Sequence, residues 1–122
     1  MNSLVIIKPD AVRRKLIGKI IGRLEERFEI ESLKPITFWD QTVKWLYPAY
    51  AEKEFFGRIV GTMSAGYSIL LKIKGDVSEI RAAALELRLE LCNEERDADP
   101  AKNVIHASDC VENAERELEI FF

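Results

Sequence analysis

A chain of 122 residues is long enough for one hydrophobic core, so a single domain over residues 1–122 is predicted. Hydrophobic residues make up 48% and charged residues 32%, which is typical of a folded globular protein and excludes a disordered chain. The formal net charge of -3 argues against a broad basic face. We therefore expect no specific nucleic-acid partner, although a small basic pocket for a phosphorylated ligand is compatible with this charge.

The cysteine and histidine content argues against a metal-binding or disulfide framework. Cys92 and Cys110 lack C-x-x-C spacing, and the chain has one histidine, so these residues do not fit a zinc site. We expect reduced thiols in an intracellular protein. The apolar run Leu4–Ile7 ends at Lys8 and is too short for a signal peptide or a membrane span. The expected location is the cytoplasm, without membrane contact.

The N-terminal third predicts two strands flanking a helix. The run Leu4–Ile7 favours a buried strand, which Pro9 would end, and Asp10 suits a helix N-cap. Apolar residues at helical spacing predict an amphipathic helix over 17–28. A second strand is predicted over 30–39, in which a proline at position 35 marks a sheet edge or a bulge.

The rest of the chain continues to alternate between helices and strands. Residues 41–64 predict one or two helices, and residues 93–102 a charged loop. The remaining patterns predict strands over 67–73 and 103–107 and helices over 77–91 and 109–119. Asp109, with Glu112 three residues later, matches the capping-box pattern for the last helix. This order predicts an α/β (α+β) fold, a ferredoxin-like sandwich whose four-stranded antiparallel sheet has one face covered by helices.

His106 is the only histidine, and it lies where a short strand meets a helix start. Taken alone, it is compatible with a hydrogen-bonded structural imidazole or with a nucleophile or general base. An unperturbed pKa of about 6.5 leaves most of the imidazole neutral and nucleophilic at pH 7. A neighbouring helix N-terminus would favour an arriving phosphate.

Several other side chains have both a structural and a functional interpretation. Lys8 directly follows a buried strand, which favours a fixed ammonium group. Guanidinium groups suit phosphate because their planar fork binds two oxygens, yet each arginine could equally be a solvated surface charge. A phenylalanine of the pair at 55–56 could stack on a nucleotide base or belong to the core. Glu117 could be solvated or could orient the imidazole. The arginines concerned are Arg81, Arg88 and Arg96.

Three stretches together resemble one enzyme family. They are LVIIKPDAV at 4–12, YPAYAEKEFF at 47–56, and NVIHASDCVENAERELEIFF at 103–122. The chain resembles a nucleoside diphosphate kinase, a phosphotransferase with a ferredoxin-like fold. The resemblance implies a ping-pong reaction in which the γ-phosphate of a nucleoside triphosphate passes through a histidine to a nucleoside diphosphate. It also implies Mg²⁺ carried by the nucleotide phosphates, no metal site of the protein's own, and a homo-oligomer.

The resemblance also implies a role for individual residues. His106 would be the phosphorylated nucleophile, Glu117 would hydrogen-bond to it, and Tyr47 would support the site near Lys8. Ser108 matches a serine close to the nucleophile. The nucleotide-binding residues implied are Lys8 and Asn103 on the ribose and phosphates, Phe55 on the base with Ile59 beside it, and Arg81 and Arg96 on the phosphates. Arg88 is a rival for the role of Arg81.

The segment between Arg81 and Asn103 departs from the family pattern. It is several residues shorter than usual, and no threonine occupies the phosphate-binding position. Ala107 and Cys110 stand where the family commonly has Gly and Ser. We predict an active kinase. One alternative is a nucleotide-binding or phosphohistidine-relay module that has lost turnover through the shortened 82–102 region. Another is a purely structural interaction protein, which would bind no nucleotide.

Overall fold

An antiparallel sheet lies at the centre of the protein. In this computed structural model, which describes residues 1–92 and 104–122, the sheet has four strands in the order β2-β3-β1-β4. They are β1 (Asn2–Ile7), β2 (Glu29–Ile36), β3 (Ser68–Lys74) and β4 (Ile105–Ala107). Every neighbouring pair is antiparallel. The predicted ferredoxin-like sandwich is confirmed, and Pro35 lies in an edge strand, as its missing N–H requires.

The helices connect the strands in the predicted alternation. They are α1 (Pro9–Arg13), α2 (Ile17–Glu25), α3 (Asp40–Leu46), α4 (Phe56–Met63), α5 (Val77–Leu91) and α6 (Val111–Phe121), with a 3₁₀ turn at Pro48–Tyr50. The charged loop predicted over 93–102 lies outside the described residues. None of the helices in the described part of the chain combines the length and the apolar character that crossing a membrane requires.

Helices cover both faces of the sheet, not one face as the sequence led us to expect. Val5 and Ile7 of β1 join an apolar cluster with residues of α2 and α5. Leu4 and Ile6, which point the opposite way, join a second cluster with residues of α3, α4 and α6. A strand buried on both faces has a continuous apolar run, and the segment Leu4–Ile7 is such a run.

Two predicted helix caps are wrong because the carboxylates bind elsewhere. Lys8, not Asp10, is the N-cap residue of α1, and the Asp10 carboxylate accepts a hydrogen bond from the backbone N–H of Val104. The N-cap of α6 is Cys110, without a side-chain hydrogen bond. The Asp109 carboxylate instead accepts from the side-chain amide of Asn113.

Several boundaries also shift. The helix predicted over 17–28 ends at Glu25, the second strand ends at Ile36, and the last helix continues to Phe121. The strand predicted from residue 103 begins at Ile105. Val104 has a φ of 61°, in the left-handed region, and cannot belong to a regular strand.

Candidate active site

The sheet register brings Lys8 and His106 to the same face. His106 pairs with Ile6 across β4 and β1, so their side chains lie on one side of the sheet. Lys8 follows Ile6 by two residues in extended backbone, and its N–H donates to the carbonyl of Val104 at 2.9 Å. Side chains two apart on extended backbone share a face. Two residues 98 positions apart in the chain therefore approach each other at the end of the central strand.

Glu117 of α6 holds the imidazole from one side. Its side chain is buried, and its Oε1 lies 3.2 Å from Nε2 of His106. The same oxygen accepts a hydrogen bond of 2.8 Å from the hydroxyl of Ser108. Because a carboxylate only accepts, Nε2 must carry the proton. In the neutral ring this leaves the lone pair on Nδ1, so the carboxylate selects the tautomer and the nucleophilic atom.

The surroundings of His106 favour the neutral ring. Burial lowers the pKa of His106 below its ordinary value, and the positive charges of Lys8 and Arg88 act in the same direction. The hydrogen bond and negative charge of Glu117 oppose this shift, but burial is the largest effect. A neutral imidazole with an available lone pair is a competent nucleophile at pH 7.

Tyr47 packs against both His106 and Lys8. Its ring meets the imidazole edge-on, with centroids 5.4 Å apart, and the Lys8 Nζ lies 5.7 Å from its centroid. Its hydroxyl is buried and has no hydrogen-bond partner among the described residues. Burial raises the pKa of Tyr47 above its ordinary value, so the phenol stays protonated. The hydroxyl therefore remains a hydrogen-bond donor.

A cleft of about 300 Å³ opens over the imidazole. Most of the predicted site residues border it, namely Lys8, Tyr47, Ile59, Arg81, His106 and Glu117. Arg88, the rival of Arg81, borders it as well. Phe55 does not border the cleft; it is half-buried against the apolar cluster of α3, α4 and α6. Arg96 and Asn103 lie outside the described residues.

Tyr50 and Arg116 border the cleft but were not singled out from the sequence. The Tyr50 ring stacks on Tyr47 with centroids 5.6 Å apart, and it contacts Phe55 edge-on at 5.3 Å. Tyr50 lies three residues after Tyr47 at a 3₁₀ turn, where side chains at i and i+3 eclipse. This spacing could have indicated that the two rings stack. Arg116 lies 3.5 Å from the second oxygen of Glu117.

Asp10 holds the backbone that precedes the nucleophile. Its Oδ2 accepts from the N–H of Val104 at 3.1 Å, and Val104 is a β-branched residue with a φ of 61°. Such backbone is strained and persists only where its surroundings hold it. We expect Asp10→Ala to lower the free energy of unfolding by about 1–3 kcal/mol, because a buried N–H loses its acceptor. Urea denaturation would measure this loss.

Asp10→Asn is the matched control, because its amide oxygen can still accept from Val104. Compared with Asp10→Ala, Asp10→Asn should retain more of the wild-type stability and more of any activity that depends on His106. Equal stability of the alanine variant and the wild-type chain would show that this hydrogen bond does not hold the strained backbone.

Comparison with known proteins identifies the family. The family model described as nucleoside diphosphate kinase matches residues 1–122. A nucleoside diphosphate kinase of Methanobrevibacter smithii is 36% identical over 129 residues, covering 99% of this chain and 86% of its own. The corresponding protein of Saccharolobus solfataricus is 37% identical over 135 residues, covering 99% and 94%.

Two solved structures of the same family have the same fold. The nucleoside diphosphate kinase of Aquifex aeolicus superposes with a TM-score of 0.80 at 30% identity, covering 99% of this chain and 94% of its own. That of Halobacterium salinarum, in complex with CDP, has a TM-score of 0.80 at 26% identity, with coverages of 100% and 87%. The fold and the relatives are those of a phosphotransferase. The chain belongs to the nucleoside diphosphate kinase family.

Proposed function

We propose that this enzyme transfers the γ-phosphate of a nucleoside triphosphate to a nucleoside diphosphate through a phosphohistidine at His106. The observation that carries the proposal is the pairing of His106 with Glu117. A buried carboxylate fixes the proton on Nε2 and leaves the Nδ1 lone pair at a cleft bordered by positive side chains. The CDP complex of the Halobacterium salinarum relative supports nucleotides as the ligands.

The two half-reactions use the same atoms in opposite order. The Nδ1 lone pair forms a bond to the γ-phosphorus, and the bond to the bridging oxygen breaks. The oxygen keeps the electron pair, so the leaving group is a nucleoside diphosphate. Glu117 stabilises the positive charge that develops on the ring. A second diphosphate then attacks the phosphorus with a terminal oxygen of its β-phosphate, and His106 returns to the neutral ring.

Positive charge around the cleft balances the charge on the phosphates. Lys8 and Arg81 border it and would contact phosphate oxygens, and we assign Arg96 and Asn103 to the same task from the family resemblance. Mg²⁺ enters as part of the substrate, bridging two phosphates and lowering the repulsion against attack. We infer no separate metal site, since phosphate oxygens and water provide the hard ligands that this ion prefers.

The base would lie among aromatic and aliphatic side chains. Ile59 and Tyr50 border the cleft, whereas Phe55 does not border it and contacts the Tyr50 ring edge-on at 5.3 Å. Stacking of the base on Phe55, as the resemblance implies, would therefore require these side chains to rearrange. Contacts of this kind depend on a π-face that every base has, so discrimination among bases should be weak.

We propose that the gaps in this chain relative to its relatives fall within 82–102, the segment that departs from the family pattern. The matches to two relatives extend over 129 and 135 residues, whereas this chain has 122.

We also propose a homo-oligomer. Among the described residues the outer edge of β2 pairs with no strand, and Leu33 on it is exposed. Light scattering would test this. We also propose a cytoplasmic location, in which the free thiols of Cys92 and Cys110 would stay reduced.

Labelling with γ-³²P-ATP and Mg²⁺ tests the reaction itself. We expect label that resists alkali, is lost in acid and maps to His106. Addition of GDP should transfer it to GTP, whereas GMP, which has no β-phosphate, should leave it on the protein. Label that GDP cannot remove would contradict turnover and indicate a relay. Nucleotide binding without label would reduce the chain to a binding module.

A further inference from the structure

Arg88 lies beside the nucleophile, in the last turn of α5. One amino group of its guanidinium donates a 2.7 Å hydrogen bond to the carbonyl of Ile105, the residue that precedes His106. The side chain is half-buried and borders the cleft. A backbone carbonyl of β4 therefore fixes the position of a positive charge next to the imidazole.

The charge of Arg88 meets no carboxylate in the part of the chain that the structure describes. Among the described residues, other arginines pair with carboxylates, as Arg23 does with Glu90 and Arg116 with Glu117, but none pairs with Arg88. Its Nε is buried without a hydrogen-bond partner there. Burial also lowers the pKa of Arg88. A half-buried cation with unused donors is costly unless an anionic ligand completes its contacts.

Arg81 and Arg88 occupy different parts of the cleft. Arg81, Ala84, Leu85 and Arg88 follow one face of α5, and all four border the cleft. The two arginines are seven positions apart, which is about 10 Å along a helix. Arg81 is exposed and acts electrostatically on Asp109, whereas Arg88 acts on Tyr47 and His106.

We propose that Arg88 binds the phosphoryl group that is transferred to and from His106. This inference rests on the proposed function and deepens it. The Ile105 carbonyl would hold one arm of the guanidinium fork, and the remaining N–H groups would meet the phosphoryl oxygens as negative charge spreads over them.

Arg88→Gln tests the proposal, because glutamine removes the charge and keeps a side-chain donor. We expect the single-turnover rate of His106 phosphorylation by Mg-ATP to fall about 100-fold. Arg88→Lys keeps the charge but not the fork, so its rate should lie between those of Arg88→Gln and the wild-type chain. Arg14→Gln is the matched control: Arg14 also donates to a backbone carbonyl, that of Leu91, at 2.6 Å, but it does not border the cleft.

A purely structural role for Arg88 predicts a different outcome. Arg88→Gln and Arg14→Gln would then lower the thermal midpoint alike and leave the transfer rate of the folded protein within about threefold of wild type, which would overturn the proposal. Binding of the non-hydrolysable ATP analogue with a β,γ-imido bridge provides a second measurement. Arg88→Gln should weaken it about tenfold or more and leave adenosine binding unchanged.

The second measurement also separates this inference from the proposed function. If the wild-type chain forms no phosphohistidine, the proposed function fails. The imido-analogue binding then decides the role of Arg88 alone, and an affinity that Arg88→Gln leaves unchanged would overturn it.

Discussion

His106→Ala should abolish phosphotransfer, with a loss of about 10⁴-fold or more, because no other described side chain that borders the cleft offers an equivalent nucleophile. Fold stability should change little. The imidazole side chain is largely buried, with 14% exposed, but it borders the cleft and belongs to neither apolar cluster. Coupled ATP-to-GDP turnover and thermal unfolding would be measured on the same preparation.

The composition of the chain provides an internal control for this variant. His106 is the only histidine, so His106→Ala should carry no alkali-stable, acid-labile phosphohistidine after incubation with labelled ATP. Normal turnover by His106→Ala would disprove the assignment of the nucleophile. Loss of turnover together with a collapse of the thermal transition would indicate a structural role instead.

Glu117→Gln should produce the second large effect on activity. The substitution keeps the shape of the side chain and removes the negative charge that faces Nε2 at 3.2 Å. An amide can present its NH₂ group to the ring and favour the wrong tautomer, and it stabilises the developing imidazolium less. We expect the transfer rate to fall by about 10- to 100-fold, the range found when a carboxylate that orients a histidine is removed.

The pH dependence makes this prediction more specific. The neutral imidazole is the nucleophile, so activity is present above the pKa of His106 and is lost as the pH falls through it. In the wild-type chain burial already lowers that pKa, and Glu117 partly offsets the shift. Replacing the carboxylate with an amide removes this opposing effect, so the pKa of His106 falls further. The acid limb of the pH–rate profile should therefore move to lower pH in Glu117→Gln while the plateau falls.

Glu119→Gln is the matched control for Glu117→Gln. Glu119 lies two residues further along α6 and is exposed, so neither the plateau nor the acid limb should move. An acid limb that shifts to higher pH in Glu117→Gln would show that the carboxylate does not interact with His106 as the geometry indicates. An unchanged plateau would exclude its role in orienting the ring.

Local sequence patterns were sufficient to predict the helices and strands that depend on interactions within one segment of the chain. The helix predicted over 77–91 is α5 with the same limits, because its apolar periodicity and the cap at Asp76, which accepts from the N–H of Glu79 at 3.1 Å, lie within one segment. The buried strand at Leu4–Ile7 was predicted from its apolar run. The family was indicated by short motifs whose residues are fixed by chemistry, above all those around Lys8 and His106.

Only the tertiary structure decided which side chains and backbone groups, far apart in the sequence, bind to each other. Asp10 looks like a helix cap in the sequence, yet its carboxylate binds Val104, 94 residues away, because the buried N–H of Val104 needs an acceptor. The tautomer of His106 depends on Glu117, which another helix brings to it. The difference between Arg81 and Arg88 likewise depends on the Ile105 carbonyl, since two arginines two turns apart look equivalent until a strand packs beside one of them.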